Sequence, residues 1–437
     1  MKKTKYILIL ILFSLILSSF VQAAERISLG PAIAAKGNIF DFKKVYSGLR
    51  CRVQGPDYYY SDQDEGCYRV EEGTILWHGF QHVWDKTPHR LNKFGSYFRS
   101  IDYEPNDDLT GGMLTAERRS IFKVGAYDDE GDVKIKGQIL KTSVLGIYHD
   151  YLDEDCLQVS GDVGDSDSVT CEVSLDLEEI GFEDYDNITV VLRGFQLWSS
   201  SYDMGYNSRG FAVRVIPVAQ TEQAYTFDAY FYVYPEHSPD RPMWDDDCND
   251  GNHCESYKYE ARIYYTVIGV REQDGHVVAA SSLGTNSYSQ EITMYPFKTP
   301  PLASTSLRQA EIQGEPGFEH GIVGIQGFKW KLNSWSSTSD DGRYIRDLRS
   351  YITSVDYSSQ TGAVDFYTTM YFSNESAWPY GFDVDFTMWN TLIQFNDAQF
   401  KKTNPSWYSC TLEKGDTSCT EDVEHEFVNS NLSSQKQ

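Results

Sequence analysis

Between Trp198 and Trp244 the chain gathers the side chains that a polar ligand with one apolar face would need. Trp198, Tyr234 and Trp244 offer aromatic rings, Asp203 a carboxylate, Arg209 a five-donor fork and His237 a titratable ring. A pyranose has hydroxyls around its rim and one apolar face, so the combination suits carbohydrate: a ring to stack on, and fixed donors and acceptors to read hydroxyl geometry. An unmatched buried polar group costs about 1–3 kcal/mol, which would give such a site its selectivity. Each residue also has an ordinary structural use: Trp198 in a core, Arg209 against any of many acids, His237 in a loop. A second oxygen-rich stretch holds Asp245, Asp247, Asn249 and Asp250 beside Gly251 and suggests a calcium loop. The EF-hand spacing fails there, because counting from Asp246 puts Cys248 third and Tyr257 twelfth. A hairpin tip closed by Cys248 and Cys254 fits the spacing, and this loop is where calcium would be sought; no other cofactor is implied.

Signatures of catalysis are missing. The chain has no Gly-x-Ser-x-Gly elbow, no His-Glu-x-x-His and no phosphate-cradling glycine loop. Carboxylate pairs are too common in so acidic a chain to mark a glycosidase. The expectation is a protein without enzymatic activity.

The elements that would position these groups read as strands. Phe211–Ile216, Tyr225–Tyr234, Tyr257–Val267, Val133–Leu140 and Phe382–Trp389 alternate with period two and are rich in Tyr, Phe, Val and Ile. Only Leu114–Phe122 and Ser304–Ile312 suggest short helical turns. Three times an apolar run ends in Gly-Phe: Gly79-Phe80, Gly194-Phe195 and Gly327-Phe328, separated by 115 and 133 residues. That spacing is domain-sized, well above the ~20–50 residues of solenoid repeats. The chain should therefore be all-β, with three tandem antiparallel β-sandwich domains over 24–150, 151–271 and 272–420. The joints fall where alternation lapses, at 150–168 and 271–317, and 421–437 reads as a disordered tail.

Met1-Lys2-Lys3-Thr4-Lys5, the apolar run to Phe20 and the small residues near Ala23 read as a secretory signal peptide over 1–23, since the apolar core falls short of the ~20 residues of a spanning helix. Its removal leaves 35 Lys plus Arg against 64 acids, a formal charge of -29 in place of -26. So negative a surface argues against nucleic acid and against an anionic membrane surface, and with no later segment able to span a membrane, membrane insertion is not expected. Eight Cys in an exported chain suggest disulfides between sequence neighbours: Cys51 with Cys67, Cys156 with Cys171, Cys248 with Cys254, and Cys410 with Cys419. Each short loop closed would contribute roughly 2–3 kcal/mol. Asn187, Asn374 and Asn431 head glycosylation sequons.

The middle stretch resembles a known family. Val190–Phe195, then Asp203, then Asn207-Ser208-Arg209 entering Phe211–Val215, then Phe227–Tyr234 and the closing Arg262–Val270 resemble the H-type lectin domain of invertebrate agglutinins and discoidin C-terminal domains. The likeness covers about 80 residues per repeat. It implies a six-stranded sandwich of a family that assembles as trimers, with galactose or N-acetylgalactosamine bound near subunit contacts. It assigns Asp203 and Arg209 to sugar hydroxyls, with Asn207 completing the motif. The first repeat has Asn92-Lys93-Phe94 in place of Asn-x-Arg, and the third has Asp340-Asp341-Gly342-Arg343 without the Asn. The middle repeat is thus the expected site in a secreted or cell-surface lectin whose partners are glycans or glycoproteins. Three repeats in one chain could then form a pseudo-threefold arrangement without oligomerisation. The alternative is a structural coat, filament or adhesion subunit whose sandwiches bind one another or other extracellular proteins.

Overall fold

A computed structural model describes residues 49–51, 67–69, 73–84, 91–105, 112–124, 131–153, 155–161, 167–199, 208–235, 257–278, 302–332, 345–374, 384–413, 416 and 418–427. Among them are 22 strands and no helix. β1 (Leu49–Cys51) and β2 (Cys67–Arg69) form a ribbon with Cys51 opposite Cys67. The first repeat follows as β3 (Gly73–Trp84), β4 (Leu91–Pro105), β5 (Gly112–Val124) and β6 (Gly131–Lys141). After β7 (Leu145–Leu152), β8 (Gln158–Gly161) and β9 (Asp167–Asp176) comes the second: β10 (Asn187–Ser199), β11 (Ser208–Gln220), β12 (Ala224–Pro235) and β13 (Tyr257–Val270). β14 (Gly275–Val278) and β15 (Leu302–Gln313) lead to the third: β16 (His320–Leu332), β17 (Ile345–Tyr357), β18 (Ala363–Asn374) and β19 (Val384–Phe395). β20 (Lys401–Lys402), β21 (Ser406–Leu412) and β22 (Ser418–Phe427) complete the order.

Both segments that suggested helical turns are strands. Burial alternates through β5, where Leu114 and Ala116 are covered while Met113 is exposed, and again through Ala310 and Ile312 in β15. Period-two burial against β4, β22 and β18 overrides a weak helical pattern. The stretch expected as a disordered tail from 421 is likewise ordered through Phe427. Val423 and Phe427 are buried, and the Cys410–Cys419 disulfide ties β22 to β21. The joints at 150–168 and 271–317 supply β8, β14 and β15, which pair at the sheet borders.

Three large antiparallel sheets result, and each takes strands from two repeats. Sheet I runs β15-β18-β17-β3-β6 with β20 and β21 on β6; sheet II runs β22-β5-β4-β10-β13-β7 with β8 on β13; sheet III runs β14-β19-β16-β11-β12-β9. The Gly-Phe strand of each repeat pairs with the second strand of the repeat before it: β10 with β4, β16 with β11, and β3 with β17. The last of these joins first repeat to third, so the order is cyclic and the ring closes within one chain. Each sandwich core lies between sheets, because consecutive strands such as β3 and β4 belong to different sheets yet pack together.

At the centre the three Gly-Phe pairs meet. The rings of Phe80, Phe195 and Phe328 lie 5.0–5.2 Å apart, all fully buried, with Trp77 6.0–6.2 Å from each. The glycine beside each Phe has its own reason. Gly79 has φ 120° and Gly194 φ 142°, and a Cβ at these positions would lie 2.0 Å from the Ser350 oxygen and 2.3 Å from the Ser96 oxygen. No side chain fits between the paired repeats. Each Gly also follows a bulge, whose extra residue is His78, Arg193 or Gln326. All three are buried polar side chains. Gln326 donates to the Val190 carbonyl at 3.3 Å, and Arg193 donates to the Asp150 carbonyl at 3.1 Å. Burial lowers the His78 pKa to about 3, helped by the charge of Lys136, and lowers that of His82 to about 3. Burial also brings Arg193 down to about 10.

Candidate functional site

Because Gly has no side chain, the face of each sheet opposite the phenylalanines has a gap above it, and the flanking strands close that gap with a stacked pair. The register makes the three pairs equivalent: Tyr97 and Tyr264 flank Gly194, Tyr351 and Lys136 flank Gly79, and Arg214 and Trp389 flank Gly327. Tyr97 and Tyr264 stack at 3.8 Å and 7°. The Lys136 ammonium lies 5.1 Å from Tyr351 and 5.3 Å from Trp407, donating to the Thr353 carbonyl at 3.1 Å. The Arg214 guanidinium lies 4.6 Å over Trp389.

On sheet II this row extends into an open platform. Tyr151 of β7 packs 5.7 Å from Tyr264 and is 47% exposed, a large value for an aromatic ring on a packed sheet. Arg262 lies between two rings, 5.3 Å from Tyr151 and 6.0 Å from Trp198, and pairs with Asp153. Trp198 donates its indole N–H to Glu260, which also pairs with Lys258, while the Lys93 ammonium sits 4.8 Å over the indole. Gln196, opposite both Gly95 and Arg262, fills the middle. Burial, with the neighbouring Tyr97, pushes the Tyr264 hydroxyl well above the usual phenol range, so it remains a neutral donor at physiological pH. The platform thus holds rings, a guanidinium and two carboxylates in an interlocked frame, and its geometry suits a ligand that stacks on an aromatic face while exchanging hydrogen bonds at its rim.

No protein family, curated protein or solved structure matches this chain. The site is therefore read from its own chemistry. Of the residues singled out in the sequence, Trp198 is on the platform. Arg209 sits at a bulge between Ser208 and Gly210 in β11, with Tyr234 opposite Gly210 in β12, so their backbones belong to sheet III and not to the sheet of Trp198. Asp203, Asn207, His237, Trp244 and the loop of Asp245, Asp247, Asn249 and Asp250 lie outside the described residues, as do Cys248, Cys254 and Asn431. The Cys156–Cys171 and Cys410–Cys419 disulfides are present. Among the described residues the one metal-like cluster, Cys410, Cys419 and Glu421, is spent on that second disulfide. Asn187 opens β10 and Asn374 ends β18.

Sequence reasoning missed Lys93, Tyr97, Tyr151, Glu260, Arg262 and Tyr264. They come from three strands, β4, β7 and β13, far apart in the sequence, so no local spacing joins them. One signal was available: Glu260, Arg262 and Tyr264 alternate on one face of a strand already read as antiparallel.

Proposed function

We propose that this chain is a secreted, non-enzymatic carbohydrate-binding protein whose site is the sheet II platform. The observation that carries the reading is the guanidinium of Arg262 held between the rings of Tyr151 and Trp198, with Asp153 and Glu260 fixed beside them. A pyranose laid on the exposed Tyr151 would meet a guanidinium donor and carboxylate acceptors at its rim, the two requirements of hydroxyl recognition. The likeness of the middle repeat to H-type lectins supports the same reading and suggests galactose-type sugars. Export is supported by the two disulfides, and no helix among the described residues is long and apolar enough to cross a membrane.

A glycan array probed with the mature chain, followed by titration of the best neutral sugar, tests the proposal. Tyr151→Ala removes the exposed ring without opening the core and should weaken binding about tenfold, the worth of a lost stacking contact of about 1.5 kcal/mol. Unchanged affinity in Tyr151→Ala and Trp198→Ala, both folded, would move the site elsewhere. No glycan binding together with concentration-dependent assembly would favour the structural alternative.

A further inference from the structure

Sheet III carries a different constellation at the place equivalent to the tyrosine stack. Arg214 replaces Tyr97 and Trp389 replaces Tyr264, both flanking Gly327. The glycine is what lets the Arg side chain cross the strand: a Cβ there would lie 2.7 Å from Arg214 Cγ. Arg214 is half-buried, its Nε is enclosed without a hydrogen-bond partner, and no carboxylate pairs with its guanidinium among the described residues. Among the described residues Arg119 and Arg193 share an enclosed Nε and lack a carboxylate partner, whereas four other arginines on the sheets are paired. Arg99 holds Glu117 through two hydrogen bonds of 2.6 and 2.9 Å, and Arg118, Arg262 and Arg349 pair with Glu421, Asp153 and Asp347.

The face around Arg214 carries both signs of charge: Lys329 and Lys331 on β16, and Asp228 of β12 with Glu172 opposite it on β9, two positions along from Tyr230. Lys329 and Lys331 follow Gly327 at alternate positions of β16 and so share its face. Tyr230 stands directly opposite Arg214 across the β11–β12 ladder, and its ring stacks with that of Tyr232 at 6.2 Å and 19°. With 64 acids against 38 Lys plus Arg in the sequence, a half-buried guanidinium left without an internal carboxylate is complementary to an anion from outside. The tyrosine pair beside it selects an anion carried on a ring.

We propose that the Arg214–Trp389–Tyr230 surface of sheet III is a second binding site, taking a sugar that bears a carboxylate or sulfate group. The guanidinium grips two oxygens of the anion and the pyranose packs on Tyr230 and Tyr232. The inference rests on the carbohydrate reading only for its ligand class, since site, charge and residues are separate from the sheet II platform.

Isothermal titration of the full mature chain with three hexasaccharides tests it: an oligogalacturonate, a sulfated galactan without uronate and an uncharged galactan. The first two should bind to sheet III, and their ranking tells carboxylate from sulfate. Arg214→Gln should weaken both about 10- to 100-fold, the range for a lost charge-assisted contact, while Arg214→Lys, which keeps charge but not the fork, should fall between. Neutral-sugar binding should survive Arg214→Gln and be lost in Trp198→Ala, so failure of either site is seen apart from the other. Acidic oligosaccharides that fail to bind, or that bind Arg214→Gln as tightly as wild type with its thermal transition unchanged, overturn the proposal. So does an oligoglutamate of equal charge that binds as tightly, because the surface would then be reading charge on a peptide.

Discussion

Acid should destabilise this protein through its buried histidines, among them His149, whose pKa burial and the charge of Arg193 lower, and His78 and His82. His78 and His82 are fully buried, and burial holds each near pKa 3, against about 6.5 in an unfolded chain. Below pH 6.5 the unfolded state binds protons that the folded state refuses, so stability is complete above pH 6.5 and falls as pH drops toward 3. The slope is about 1.4 kcal/mol per pH unit for each residue, hence about 2 kcal/mol each, or about 4 kcal/mol together, at pH 5. pH 5 lies well above the folded value, so the figure depends almost wholly on the unfolded one. His82 can be isolated, because the shared register places Leu197 and Trp330 at the equivalent positions of the other repeats. His82→Leu leaves Ser96, now 2.7 Å from the His82 ring nitrogen, without that partner, and so costs stability at every pH. Its pH dependence is the diagnostic. Urea unfolding at pH 7, 6 and 5, with disulfides intact, should show the variant losing about 2 kcal/mol less than wild type between pH 7 and 5. Parallel pH profiles for the two proteins would refute the reasoning.

Phe195→Ala removes one of three mutually touching rings and should cost about 3–5 kcal/mol in the same assay; a loss under 1 kcal/mol would mean that the hub does not hold the sheets together. Gly194→Ala forces a Cβ toward the Ser96 oxygen at a φ of 142°. It should separate β10 from β4 and cost more than the about 1 kcal/mol of an ordinary strand substitution, with faster amide exchange along that pairing as the readout.

The strands were legible because each buries one face, and period two survives in Phe211–Ile216 or Tyr257–Val267 without any knowledge of the partner. The Gly-Phe repeat was legible as a repeat, but not as a meeting point, because what makes Phe80, Phe195 and Phe328 neighbours is pairing between segments more than a hundred residues apart. Helical turns at Leu114–Phe122 and Ser304–Ile312 were misread for the same reason: sheet partners decide, and they are distant. Trp198 was found from its type, whereas Tyr151 and Arg262 gain their meaning only when β7 and β10 settle on either side of β13.

Closing the ring within one chain frees each repeat from the others' sequence. In a trimer of identical subunits any substitution is made three times, and a change that helps one surface must be tolerated on all. Here each position is inherited once. The same spot above a glycine can hold two tyrosines on one sheet, a lysine against a tyrosine on the next and an arginine over a tryptophan on the third. A threefold scaffold thus becomes three independently mutable surfaces on a shared hub, free to specialise without giving up the symmetry that holds them.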